Sequence, residues 1–367
     1  MNAQIWGYVY DVLVENCSLH FRHFCHPWQS YSGYAGRLYG CSRSISSGTC
    51  NPAKTGYIKL QDRRSDDRWN IGSGPFAEGK FLSQGVDAAL FLAAALLMAT
   101  AVSAQTLDAA TNAATNAAFD AALAGEHRSE RNKARDRYRH PKETLAFFGM
   151  RRDMTVVEIW PGGGWYTEVL APVLRGTGKL YAAQYGSKPA FDYQRNEMAA
   201  LAEKAARYPE VFDEVVFTSL WSPDALEIGP PLSADLVLTF RNVHNWFDAG
   251  YGQDPARLFS AFFATLKPGG ILGIVDHRWP DPATEDQAAA NGYVSEERVI
   301  ALARAAGFEF AGNSDVNRNP LDTHDHPNGV WTLPPDLAVP EGGDRQKYLD
   351  IGESDRLTLK FIKPATE

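Results

Sequence analysis

Cysteine is missing from most of this chain. Cys17, Cys25, Cys41 and Cys50 are the only four in 367 residues. Beyond residue 50, disulfides, thiolate metal ligands and cysteine nucleophiles are therefore excluded, and the four that exist form no Cys-x-x-Cys pair. Positive charge is also short: the formal net charge is −8, which argues against a general nucleic-acid binder. The sequence has no Gly-x-Ser-x-Gly elbow, no Walker loop and no His-Glu-x-x-His helix, so three common catalytic frameworks drop out. With 44% hydrophobic residues, the composition suits one large or two small globular domains.

One long apolar run stands out, VDAALFLAAALLMATAVSA at 86–104. It ends in Val102-Ser103-Ala104, a small-x-small cleavage pattern after a signal-peptide-like apolar core. A transmembrane anchor and a buried helix are the competing readings. No charged stop-transfer flank follows, which favours a signal peptide over residues 80–104 and a periplasmic or secreted product without a membrane anchor after cleavage. The protein is cytoplasmic if that reading fails. A signal peptide belongs at an N-terminus, so residues 1–79, rich in Ser, Gly and Tyr and without periodicity, are expected to be an upstream extension. A small cysteine-bearing domain is the alternative. N-terminal sequencing of the native protein tests both: a mature start within the first fifty residues overturns the export reading.

Residues 105–140 are expected to be a linker running into helices. The run EHRSERNKARDRY at 126–138 reads as a solvated helix face with ion pairs within the helix. From 141 to 367 the pattern changes. Short apolar strands are predicted at 156–159, 178–183, 215–217, 234–240, 271–275, 308–311 and 357–362, with helical periodicities between most of them. Lys267-Pro268-Gly269-Gly270 is expected to be a turn. Strands alternating with helices make an α/β, doubly wound, mostly parallel sheet of seven strands. The last two lack a helical pattern between them and are expected to pair like a hairpin.

The chain is organised around TVVEIWPGGGWYTEVLAPV at 155–173. A strand, a glycine turn and an apolar-periodic helix in that order bring bare backbone N–H groups towards a ligand. The nicotinamide fingerprint Gly-x-Gly-x-x-Gly fails, since Gly162 and Gly164 are followed by Thr167 at the third position.

The order of motifs from about residue 144 to 363 resembles class I S-adenosylmethionine-dependent methyltransferases, and PGGGWYTEVLAP, TFRNVHNW and DHPNGVWTLPP resemble a group of exported bacterial methyltransferases. The resemblance implies a seven-stranded Rossmann-like sheet with an antiparallel last strand, S-adenosylmethionine as cofactor and a small-molecule substrate. It implies cofactor contacts from Glu158, Gly162, Gly163, Gly164, Gln184 and Asn242. Trp160 replaces the family's first loop glycine, and Gln184 stands where an acidic residue would hold the ribose.

Four residues are candidates for catalysis. Arg241, Asn242 and His244 follow strand four, where a substrate would be oriented and where His244 would take a proton. Asp276 and His277 follow strand five at the same edge. Adjacent residues on a strand point apart, so another carboxylate is expected to orient His277. His326 lies in an insertion holding Asp322, His324 and Asp325, expected to be a lid or a substrate contact. His-x-His with carboxylates also suggests a metal site, and a metal enzyme built on His244, His277 and His326 is a weaker reading; the favoured one has no metal. The alternative to catalysis is an exported ligand-binding protein on a degenerate methyltransferase fold. Oligomeric state is not legible.

Overall fold

The computed structural model describes residues 108–187 and 189–365, all within the unit Glu78–Glu367. The expected extension at 1–79 and signal peptide at 80–104 lie outside the described residues. Among the described residues no helix is long and apolar enough to cross a membrane.

Residues 108–124 form helix α1. Short helices α2 (Glu130–Lys133), α3 (Asp136–Arg139) and α4 (Pro141–Phe147) follow. Then come β1 (Thr155–Ile159), α5 (Thr167–Leu174), β2 (Lys179–Gln184), α6 (Asp192–Arg207), α7 (Pro209–Phe212), β3 (Val215–Ser219), β4 (Ala234–Phe240), α8 (Val243–Phe247) and α9 (Pro255–Thr265). The chain closes with β5 (Leu266–Trp279), β6 (Val294–Ser295), α10 (Glu296–Ala305), β7 (Glu309–Asn313), α11 (Arg345–Ile351) and β8 (Arg356–Ile362). The strand order is β3-β2-β1-β4-β5-β8-β7, with β6 pairing β5 off that path. The pairs from β3 to β5 are parallel, while β8 runs antiparallel to both neighbours.

Burial explains the central strands. Val156, Val157 and Ile159 in β1, and Leu236, Val237 and Leu238 in β4, are all at most 1% exposed, because helices cover both faces. One core includes Val157, Val237, Phe259 and Phe262; the other includes Val156, Leu170, Leu236 and Phe148. Right-handed crossovers then leave the carboxyl ends of β1, β4 and β5 at one edge.

The doubly wound sheet agrees with the sequence reading, and so does the turn at 267–270; three details do not. The Ala, Thr and Asn-rich segment after residue 107 is a docked helix, with Phe119 and Ala122 buried against the second core. The charged run at 126–138 is a solvated face only in part: α2 buries no residue and carries the Lys133–Glu130 ion pair. It breaks into two four-residue helices, Arg128 buries its side chain to meet Glu168, and Arg139, just beyond the run, meets Glu353. The last two strands do pair antiparallel, but helix α11 lies in the long segment between them. Residues 267–270 belong to β5 in hydrogen-bonding terms, yet the register jumps across them from Ala234↔Leu266 to Leu236↔Ile271 and Gly269 takes φ +78°. They behave as a turn looped out of the strand.

Candidate functional site

The glycine loop leaves β1 in a left-handed turn. Trp160, Gly162 and Gly164 have φ of +46°, +57° and +81°. A left-handed residue other than glycine costs about 1–3 kcal/mol, so Trp160 holds a conformation that glycine would adopt without that cost. Its ring is 3% exposed. It stacks on Trp221 at 5.8 Å, tilts against Tyr185 at 4.9 Å and donates Nε1–H to the Leu220 carbonyl at 2.9 Å. Burial of a large aromatic offsets the backbone strain.

Two of the loop glycines make room for protein. A side chain at Gly162 would meet Glu197, and one at Gly164 would strike Leu201 at 2.5 Å, both on α6. Gly163 faces open space. Gln184 donates Nε2–H to the Gly162 carbonyl at 2.9 Å and accepts from the Tyr185 N–H, so both ends of its amide hold the loop and the β2 end. Asn242 donates Nδ2–H to the carbonyls of Ile159 and Trp160, at 2.9 and 3.3 Å, and ties the end of β4 to the start of the loop. A cleft of about 290 Å³ opens beside Gln184, walled by Met198, Leu201 and Phe217 with Thr218 and Ser219 at its rim.

Glu158 lies beneath the loop, 2% exposed, and accepts the Thr167 hydroxyl at 2.7 Å. Burial pushes its carboxyl up to about 8, against smaller opposing effects from the Thr167 hydrogen bond and Lys204. In the free protein it is mostly protonated at neutral pH.

The ends of β4 and β5 carry a second constellation. Asp276, fully buried, receives His244 Nδ1–H at 2.8 Å, the His244 backbone N–H at 3.0 Å and the His277 N–H at 2.8 Å. Its carboxylate therefore orients His244, at the start of α8 just after β4, by reaching across from β5. Ser354 holds His277 Nδ1, and Arg241 donates Nε–H to His277 Nε2 at 3.3 Å. Burial and the adjacent Arg241, His244, Arg356 and Arg139 hold the His277 imidazole well below its ordinary value, so it is neutral. The two rings lie 5.2 Å apart and Trp331 of the insertion sits 6.2 Å from His244. His244 Nε2 has no protein partner among the described residues.

His326 is not brought to this pair by any contact of its own. It is 8% exposed, with Nε2 2.8 Å from Asp322 Oδ1 and its ring edge-on to Tyr348. Asp322 also takes the Tyr293 hydroxyl and the Asp355 N–H, a network that fastens the insertion to the β8 end. Among the described residues the one group spaced to hold a metal is His244, Asp276 and His277. The Arg241 guanidinium already occupies His277 Nε2, and a cation there opposes a metal ion. His324 and His326 do not form such a group.

No family model and no curated protein matches the chain. Solved structures resemble it in fold. A SAM-dependent methyltransferase from Aquifex aeolicus is 17% identical over 63% of this chain and 93% of that one, with a TM-score of 0.41. The [4+2]-cyclase SpnF is 17% identical over 66% and 86%, with a TM-score of 0.45. A possible exported protein from Bordetella parapertussis is 16% identical over 63% and 68%, with a TM-score of 0.38. The firmer observation is internal: a parallel β3-β2-β1-β4-β5 sheet, extended by one antiparallel strand inserted before a last parallel one, with a glycine turn after β1. That is a Rossmann-like, doubly wound α/β fold.

Proposed function

We propose that this protein transfers a methyl group from S-adenosylmethionine to an oxygen of a small molecule. The observation that carries this reading is the Asp276–His244 pair at the joined ends of β4 and β5, on the edge where the glycine loop also emerges. The residues present fit the cofactor. Gly163 leaves open space at the loop, the apolar cleft beside Gln184 has room for an aromatic base, and Glu158 lies below the turn. Gly162, Gly163 and Glu158 would hold the amino-acid end, and Gln184, Thr218 and Ser219 would border the nucleoside.

The bound sulfonium supplies an already activated methyl, so the protein mainly supplies alignment and a place for one proton. His244 Nε2 takes the proton of the acceptor hydroxyl. Asp276 fixes the tautomer by holding Nδ1–H and stabilises the imidazolium that results, as a buried carboxylate does for a catalytic histidine. Neutral His277, pinned between Ser354 and Arg241, keeps the guanidinium of Arg241 at the rim of the same site.

Calorimetric titration of the full chain with S-adenosylmethionine tests the reading. Saturable binding near one equivalent is the expected result. No heat at millimolar cofactor would remove it and leave a ligand-binding protein on a degenerate fold, for which the two engaged ends of the Gln184 amide would be the structural reason.

A further inference from the structure

Four arginines gather around one carboxylate at the β5 and β8 end of the edge. Arg135 and Arg139 come from the segment of α2 and α3, Arg241 follows β4 and Arg356 opens β8, where it pairs in register with His277. Glu353 receives Arg135 Nε–H at 2.5 Å and Arg139 Nε–H at 3.0 Å, together with Arg356 Nη2–H. Arg241 has no carboxylate partner among the described residues, and its side chain donates to His277.

The charge in this cluster is only partly compensated. Arg135 Nη2, Arg139 Nη2 and Arg356 Nε are buried without a hydrogen-bond partner, although Arg139 and Arg356 are only 5% and 2% exposed. Burial first, then the neighbouring guanidinium groups, hold Arg135 below its ordinary value and Arg139 well below it, with Glu353 offsetting only part of the effect. A staple between the N-terminal helices and β8 requires one arginine for each Glu353 oxygen. Four is an excess, and buried guanidinium N–H groups without acceptors are expensive unless something else completes them. The Trp165 ring, 4.5 Å from Arg139, takes part of that charge but accepts no in-plane N–H.

We propose that this cluster binds an oxyanion, the carboxylate or phosphate of the small molecule whose hydroxyl His244 deprotonates. The geometry links the two places directly: Arg241 contacts His277, whose ring lies 5.2 Å from His244. Arg135, with 17% side-chain exposure, and the half-buried Arg241 are the more accessible members of the cluster. Planar guanidinium forks match carboxylate and phosphate oxygens in pairs. The acceptor is thus an anionic hydroxy compound, anchored by its acid and methylated at its oxygen. Its role as acceptor rests on the methyltransferase reading; the oxyanion site does not.

The full chain, titrated by calorimetry with inorganic phosphate and separately with acetate at constant ionic strength in chloride, tests the site. Saturable binding of at least one anion is expected, and the arm that binds distinguishes phosphate from carboxylate. Arg135→Gln and Arg241→Gln, the more accessible of the four arginines, should each weaken it tenfold or more. Arg131→Gln, an exposed arginine on α2, should leave it unchanged. The titration is repeated with saturating S-adenosylhomocysteine, and unchanged anion affinity is expected. Neither anion binding above chloride, or equal binding in both weakened variants, overturns the proposal. Competition by S-adenosylhomocysteine also overturns it, because the arginines would then be holding the cofactor's own carboxylate. Anion binding without cofactor binding would sink the methyltransferase reading and leave this site standing; cofactor binding without anion binding does the reverse.

Discussion

His244→Ala is expected to lower turnover about 10²- to 10⁴-fold, the usual worth of a positioned general base, while cofactor affinity stays within about threefold of the parent. The measurement is release of S-adenosylhomocysteine with the best acceptor from a panel of hydroxy acids and phosphorylated alcohols, beside calorimetry of the cofactor alone. The reasoning is geometric. His244 spends Nδ1 on Asp276, and the Nε2 that remains has no protein partner among the described residues. Asp276→Asn should fall by a comparable factor, because an amide can still meet the His244 N–H but offers no charge to the imidazolium. His277→Ala should fall less: its Nε2 already accepts from Arg241 and its low basicity leaves it a poor proton acceptor. His326→Ala should unfold more easily, because it removes the partner of Asp322 in a buried network. If His244→Ala turns over within threefold of the parent, the base is elsewhere. If all four variants lose cofactor affinity together, the effect is architectural.

The fold was legible because its signals are local. The three apolar residues of β1, the glycines after it and the three-and-four spacing of α9 each follow from nearest-neighbour chemistry. The candidate site was legible only by position. Strand ends at 240–244 and 276–277 fall at the functional edge of any doubly wound sheet, so His244, His277 and Arg241 could be chosen without knowing their contacts. Partners were not legible. Nothing in Asp276-His277 tells a reader that the carboxylate serves His244 beyond the end of the neighbouring strand, since strand order is decided by long-range pairing. The charged run at 126–138 misled for a related reason: alternating charge describes a solvated helix equally well as a segment whose arginines are drawn inward by Glu168 and Glu353. The spacing of Arg135 and Arg139 was a visible signal of a shared face. The acidic partner that makes that face buried lies over 200 residues away.

Glu353→Gln should be the most damaging substitution to stability, by about 3–5 kcal/mol, the range for removing one member of a buried ion pair. Glu353 is 2% exposed and is the carboxylate on which Arg135, Arg139 and Arg356 converge. Glutamine preserves the shape and removes the charge, leaving buried cations with no counterion. For a domain of this size each kcal/mol shifts the melting temperature by about 2–4 °C, so scanning calorimetry should show a fall of roughly 6–20 °C. Burial alone would push the Glu353 carboxyl up, but Arg139, Arg356, Arg135 and Arg241 outweigh it and hold the group well below the usual range. A depressed carboxyl contributes stability that is complete above its unfolded value and is lost as pH falls through its folded one. The parent should therefore lose stability on the acid side, and Glu353→Gln should lose that part of the slope. Glu158 acts in the opposite sense: with its carboxyl raised to about 8, it favours the folded state at low pH and costs stability as pH climbs from the ordinary carboxyl range towards 8. Glu158→Gln should flatten that limb and leave the acid limb alone. Phosphate or acetate should restore part of the stability lost in Glu353→Gln, since an oxyanion can take the place of the missing carboxylate among the same guanidinium groups. A melting temperature within about 2 °C of the parent, equivalent to less than 1 kcal/mol, would mean that the arginines are neutralised by solvent and that the ion cluster holds neither the N-terminal helices nor a ligand.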